Sequence, residues 1–316
     1  MPLAQLLAGS PSLAKPLAGI ERAAATDSPI LLTGEPGTGR STLARAVHRA
    51  SPRGAGPLVE IDPGALPTGL FEGELFGWVA GAFTGADRAS EGRVGRAAGG
   101  SLLLDHVEEL PVGAQPKLLR LVSERRYAPL GGAEATADVR FLAIGGDDLA
   151  RRVDGGAFRL DLYHRLGVLA FRLPPLRDRR GELPALAARL LADLGERFGR
   201  PAPELAPEAL RWMRDYPWPG NLTELRNVLE RALILGPEGE RRRRGRGEEA
   251  GSGPVRLAPP RPAGSSGERP RRLAELERLE IRRALAYTRG HQGRAAELLG
   301  LSRKGLWQKR KRYGIP

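Results

Sequence analysis

The sequence contains no cysteine and only four histidines among 316 residues. The missing thiols exclude disulfides and thiolate-held metals, and they make the cytoplasm the simplest expected compartment. His48, His106, His164 and His291 are scattered without metal-ligand spacing, so no structural metal is expected. Long apolar runs are lacking as well. Gly, Pro, Ser and charged residues interrupt every candidate before the roughly twenty residues a membrane span requires. No basic stretch precedes the N-terminal leucines, so no secretory signal is expected.

Charge is present in quantity and unevenly placed. Residues 237–316 carry 21 Lys and Arg against 9 Asp and Glu, a net of +12, whereas residues 1–236 carry 29 against 28. That distribution describes a near-neutral body with a basic tail, and a polyanion such as nucleic acid is the usual partner of such a tail. A solvated basic tail without a ligand is the other reading of composition alone.

The most informative stretch begins at Ile30, where an apolar strand runs into Gly34-Glu35-Pro36-Gly37-Thr38-Gly39-Arg40-Ser41-Thr42 and then into a helix. Glycines at 34, 37 and 39 let backbone N–H groups curl around an anion, and the helix turns its positive end toward the same point. The spacing fits G-x-x-x-x-G-K-[ST], with Arg40 at the lysine position. Arginine keeps the charge but presents a planar fork in place of a compact ammonium. These residues are the candidate phosphate binders; an ordinary Gly-rich strand–helix turn is the alternative.

Up to about Arg177, short apolar runs alternate with helical patterns, which predicts a parallel sheet with helices on both faces. The expected strands are 30–33, 58–61, 101–105, 139–144 and 169–173, each followed by Gly, Pro or Asp. Beyond Arg177 the pattern is helical, with Leu183, Leu186, Leu190, Leu191 and Leu194 in one stripe. Asn221 and Glu224 read as a capping box opening the last helix of this unit. Residues 237–270, with Arg241–Arg244 and abundant Gly, Pro and Ser, cannot bury enough apolar surface to fold and are expected to be a flexible linker. Residues 271–316 become periodic again and predict a compact three-helix unit with a helix-turn-helix.

At residues 74–86 the chain reads Glu-Leu-Phe-Gly-Trp-Val-Ala-Gly-Ala-Phe-Thr-Gly-Ala. Its last six residues, Gly81, Ala82, Phe83, Thr84, Gly85 and Ala86, resemble the GAFTGA loop of bacterial enhancer-binding proteins, the NtrC-like AAA+ activators of sigma-54 RNA polymerase. The similarity runs in order from about Gly9 to Ile315, apart from the linker. Residues 99–105 resemble the family's Walker B strand, which implies that Asp105, with Ser41, holds Mg²⁺ beside the γ-phosphate. Residues 158–166 resemble the segment of paired arginine fingers, with Arg159 and Arg165 in the two positions. Residues 173–179 and 216–222 match the start of the helical lid and of its last helix. Residues 281–315 resemble a Fis-type helix-turn-helix, whose recognition helix would present Ser302, Arg303, Lys304, Gln308, Lys309 and Lys311 to the major groove.

The resemblance implies an α/β AAA+ P-loop core with helices on both faces over 1–176, an α-helical lid over 177–236, the linker, and the DNA-binding unit over 271–316. It implies ATP and Mg²⁺ as cofactors. Sigma-54 RNA polymerase and double-stranded enhancer DNA are the implied partners, in a homo-oligomeric ring, a hexamer, or a mixed ring with a related activator. Because the similarity starts almost at Met1, control is expected from a partner, from expression level or from a lost upstream segment. Departures cluster around the nucleotide: Arg40 replaces the Walker A lysine, and His106 the Glu that polarises water. Asp62 replaces the Asn that restrains that Glu, Gly145-Gly146 the Thr-Asn of sensor I, and Thr223 the Arg of sensor II. Three readings follow: a working remodelling ATPase, a nucleotide-binding regulator with feeble hydrolysis, and a DNA-binding regulator whose AAA+ region is a scaffold.

Overall fold

The computed structural model describes residues 2–199, 204–235, 281, 285, 288, 291–298, 306–307 and 309–310. The chain falls into two compact units, Met1–Ala258 and Pro259–Pro316. The helices of the first unit are α1 (Leu3–Ala8), α2 (Ile20–Ala24), α3 (Arg40–Arg49), α4 (Thr68–Phe76), α5 (Gly92–Arg96) and α6 (Gln115–Glu124). They continue with α7 (Leu149–Asp154), α8 (Leu160–Leu166), α9 (Leu183–Phe198), α10 (Pro207–Asp215) and α11 (Asn221–Leu235). Its strands are β1 (Ile30–Thr33), β2 (Leu58–Ile61), β3 (Ser101–Leu104), β4 (Arg126–Tyr127), β5 (Ala135–Thr136), β6 (Arg140–Gly145) and β7 (Leu169–Arg172).

Five strands form one parallel sheet in the order β2-β3-β6-β1-β7. Ile30 of β1 faces Leu142 of β6 on one side and Leu169 of β7 on the other. The central strands β3 and β6 are buried along their whole length. Their apolar residues run without alternation because helices cover both faces of the sheet. Leu31, Leu102, Leu104 and Phe141 contribute to one core cluster with α4, α6 and α8, while Ile30, Leu32, Leu103 and Leu142 contribute to a second with α1, α2 and α3.

The strand expected at 139–144 is shifted by one residue, to Arg140–Gly145. The Val139 carbonyl is taken by the Arg125 guanidinium, and pairing with β3 starts at Arg140 opposite Ser101. Arg140 is fully buried, and its guanidinium donates to the carbonyls of Ala24 and Ala23 at 2.8 and 2.9 Å, closing the C-terminal end of α2. The antiparallel pair β4–β5 has no counterpart among the expected strands, since two residues are too few for a period to register.

The helical lid has its own core. Leu183, Leu191 and Leu194 of α9 pack with Met213, Trp218, Leu225 and Leu229. The start of α11 differs from the expected capping box. The Asn221 side chain does not cap its own helix: Oδ1 accepts from the Leu176 amide at 2.7 Å, and Nδ2 donates to the Pro36 carbonyl at 2.9 Å. Glu224 still closes the turn, accepting from Gly220 N at 2.9 Å. A local N-x-x-E pattern cannot register that the Asn is taken by contacts 45 and 185 residues away.

In the second unit α12 (Gln292–Leu298) supplies Ala295 and Ala296 to a small buried cluster with Ile281 and Leu306. Lys309 is half-buried. Ser302, Arg303, Lys304, Gln308, Lys311 and the 237–270 segment lie outside the described residues.

Candidate functional site

The ends of β1, β3 and β6 meet at one edge of the sheet, where open α/β sheets place ligands. Buried β1 runs into Gly34, and Gly34, Gly37 and Gly39 take φ values of 144, 78 and 102°, a region costly for any residue with a Cβ. At Gly37 space also forbids a side chain, since a Cβ would stand 2.4 Å from the Gly220 carbonyl of the lid. Thr38 closes the loop by donating from Oγ1 to the Glu35 carbonyl at 2.8 Å. Helix α3 begins at Arg40 and brings Ser41 Oγ within 3.3 Å of Asp105 Oδ2, the residue just past β3.

His106 follows in a left-handed conformation (φ 49°), and its Nδ1 lies 3.1 Å from Asp62 Oδ2. The other Asp62 oxygen accepts from Gly64 N at 2.9 Å, so one carboxylate both caps the turn after β2 and holds the imidazole. The structure thus pairs the two substituted positions with each other.

Arg40 and Gly145-Gly146 form a second linked group, while Thr223 stands on α11 beside Gly37. Arg40 is buried, and its guanidinium donates to the carbonyl of Gly145 at the end of β6. An arginine fork reaches this carbonyl across the loop, so its charge is directed at the sheet edge. Glu108 Oε1 accepts from Gly146 N at 3.0 Å, and its Oε2 is buried without a partner. A Cβ on Gly146 would lie 2.9 Å from Glu108 Oε1 and 2.5 Å from Asp148 Oδ1. Two carboxylates therefore crowd the space that a side chain at position 146 would enter. Sequence reasoning missed Glu108, whose role depends on contacts with residues 38 positions away.

The lid is fastened directly to the loop. Arg177 forks onto Glu35 with contacts of 2.8 and 2.5 Å, Asn221 Nδ2 adds a contact of 3.3 Å to Glu35, and Leu222 N donates to the Gly37 carbonyl at 2.9 Å. Between loop and lid lies a cavity of about 730 Å³. Its apolar wall includes Leu6, Leu13, Leu186 and Leu190, and its polar side includes Ser41, Asp105 and His106.

The guanidinium of Arg177 holds the Glu35 carboxyl down to about 2, from an ordinary 4.5. A depressed carboxylate adds stability that is present above its unfolded pKa and lost as pH falls through the folded one. The stability gap between the native chain and Glu35→Gln is therefore expected to close as pH falls from about 4.5 to about 2, read by denaturant unfolding. A gap constant over that range would show that the latch does not depend on this ionisation.

The 81–86 loop is a tight turn, with Gly81 N donating to Ala86 O at 2.8 Å and Ala86 N to Phe83 O at 3.0 Å. Ala82 N donates to Val79 O at 3.2 Å. Phe83 is 48% exposed and sets its ring edge-on to Trp78, with centroids 5.6 Å apart. Thr84 and Gly85 stand at the open surface. Arg159 forks onto Asp161 at 3.0 and 2.7 Å, and Arg165 donates to the Ser123 carbonyl at 3.1 Å. Both arginines are exposed and sit apart from the cavity wall.

Among the described residues no helix is long and apolar enough to cross a membrane, and no group of three or more His, Asp or Glu could hold a metal ion. The profile of the Sigma-54 interaction domain matches residues 6–172, that of the AAA+ ATPase lid domain 177–242, and that of the Bacterial regulatory protein, Fis family, 272–313. The alginate biosynthesis transcriptional regulatory protein AlgB of Pseudomonas aeruginosa is 40% identical over 312 residues, 97% of this chain and 67% of AlgB. The DNA-binding transcriptional regulator NtrC of Rhizobium meliloti is 39% identical over 92% of this chain and 66% of its own length. Crystalline NtrX of Brucella abortus in complex with ATP superposes with a TM-score of 0.70 at 30% identity, over 96% of this chain and 68% of NtrX. The chain thus spans about two thirds of the length of these relatives. With the first profile alone covering more than half of the residues and a relative at 40% identity along nearly all of them, the chain belongs to the family of sigma-54-dependent transcriptional activators.

Proposed function

We propose that this chain is a cytoplasmic, ring-forming regulator of sigma-54 RNA polymerase that binds ATP with Mg²⁺, holds double-stranded DNA through its C-terminal unit, and hydrolyses ATP slowly. The observation that carries the reading is the coupled replacement around the loop: the Asp62–His106 pair and the Arg40–Gly145 contact beside an intact Ser41–Asp105 pair. Backbone N–H groups of the Gly37–Ser41 turn and the N-terminus of α3 receive the phosphates. The Ser41 hydroxyl and the Asp105 carboxylate are hard oxygen donors facing each other, a set that suits Mg²⁺. When bound, that ion neutralises charge on the transferring phosphoryl group.

Binding groups persist while groups that position water and sense the γ-phosphate are replaced. Asp62 fixes the His106 ring, so the imidazole is ordered against the cavity's polar side. Phe83 and Thr84 form the tip that meets sigma-54, and Arg159 and Arg165 serve a neighbouring subunit's phosphates, in a homo-oligomer or a mixed ring. A mixed ring is favoured specifically by this combination of exposed fingers with a substituted site of its own.

The test is equilibrium binding of ATP analogues to the full chain, followed by capture of sigma-54 with and without nucleotide. Micromolar ATP binding with nucleotide-dependent capture is expected. Absence of nucleotide binding in every assembly state, together with no sigma-54 contact, would leave a DNA-binding scaffold. Site-specific DNA binding is expected to fall steeply with salt and to vanish when 271–316 is deleted, since phosphate contacts release counterions. A truncated chain that selects the same operator would refute the DNA assignment.

A further inference from the structure

We propose that Arg226 supplies the lid's phosphate-binding cation, one helical turn beyond the position held by Thr223. This deepens the preceding reading and rests on it, because it requires that the loop–lid cavity take a nucleotide. Arg226 lines that cavity from α11, as Thr223 does, and residues three apart share a helix face.

The start of α11 is fixed against the phosphate loop. Leu222 N donates to Gly37 O, Asn221 Nδ2 donates to Pro36 O, and a Cβ at Gly37 would lie 3.1 Å from Thr223 Oγ1. Arg226 therefore projects from a helix whose first turn already touches the loop, and it lines the same cavity as Gly37–Thr42.

The other cavity arginines are engaged. Arg40 donates to the Gly145 carbonyl, Arg179 is buried against Glu182 and Ser10, and Arg189 has a partner as well. Arg226 is exposed, and its side chain makes no hydrogen bond or ion pair among the described residues. A solvated guanidinium on the wall of a cavity with a phosphate loop on its floor has the chemistry to fork onto the oxygens of a nucleoside di- or triphosphate. The cationic function that Thr223 cannot provide is thereby kept on the same face of the same helix.

The experiment is equilibrium binding of a non-hydrolysable ATP analogue and of adenosine to the full chain. Arg226→Ala is expected to weaken the analogue about tenfold, as for one charge-assisted contact in a partly solvated site, and to leave adenosine unchanged. Thr223→Arg added to Arg226→Ala is expected to recover most of the loss. Asn227→Ala, an exposed neighbour off the cavity wall, is expected to bind as the native chain does, and the unliganded melting point of Arg226→Ala is expected to be unaltered. Should Arg226→Ala fail to fold, Arg226→Gln carries the same comparison. Unchanged affinity for the analogue, or an equal loss for adenosine, would overturn the proposal while the nucleotide reading stands. A native chain that binds neither ligand would overturn both.

Discussion

Exchanging the Asp62–His106 pair for Asn and Glu together is expected to raise the ATP turnover of the assembled chain about a hundredfold, the low end of what a well-placed general base contributes. The low end applies because Gly146 and Thr223 still lack sensor side chains, and a site that acts as a unit recovers only partly when one part is restored. Both residues must change. His106 Nδ1 and Asp62 Oδ2 stand 3.1 Å apart, so His106→Glu alone would bring two carboxylates to nearly that separation. Like charges so close cannot both stay ionised, and the new Glu would be protonated or turned away. With Asp62→Asn added, the introduced amide would instead donate to the new carboxylate. Phosphate release at saturating ATP measures the effect. A native chain with the turnover of an unsubstituted AAA+ activator, unimproved by the double variant, would show that this site is not impaired.

The second large effect concerns the lid. Trp218→Ala is expected to destabilise the first unit by about 3–5 kcal/mol, the range for removing a buried large aromatic. The indole is fully buried, donates from Nε1 to the Met213 carbonyl at 2.8 Å, and meets Tyr216 and Trp212 edge-on at 5.0 and 5.4 Å. Its loss empties the middle of the lid core, three residues before the Asn221 side chain that fastens the lid to the loop. Nucleotide affinity should fall along with the denaturation midpoint. Trp218→Phe should restore most of the packing but not the bond to Met213. A stability for Trp218→Ala within about 0.5 kcal/mol of native, the range of ordinary surface substitutions, would show that this indole does not organise the lid.

The sheet and the phosphate loop are legible in the sequence because their signals are local: an apolar run, three glycines at fixed offsets, a helix start. The family is legible because residues 81–86 and 99–105 carry whole motifs. The coupling between substituted positions is not. Arg40 lies 105 residues from the carbonyl it holds, and Glu108 lies 38 from the amide it occupies. No local pattern encodes either contact. Arg226 has one signal in the sequence, its offset of three from Thr223 on an amphipathic helix. That signal is weak, because a charge on an exposed helix face is ordinarily just solvated. Arg140 is a related case: the apolar run around it predicts a strand, but nothing local says what answers a buried guanidinium there. The carbonyls that receive it end another helix more than a hundred residues away.

The contact between Trp78 and Phe83 sets the terms on which the surface loop can be used. An edge-on aromatic pair is worth about 0.5–1.5 kcal/mol beyond the area it shields. At about 1 kcal/mol this ring–ring increment by itself favours the resting arrangement only some fivefold. The tip is thus biased toward its parked position without being locked there. A change in the loop that costs no more than this contact is therefore enough to free the ring, and thermal motion alone returns it to Trp78.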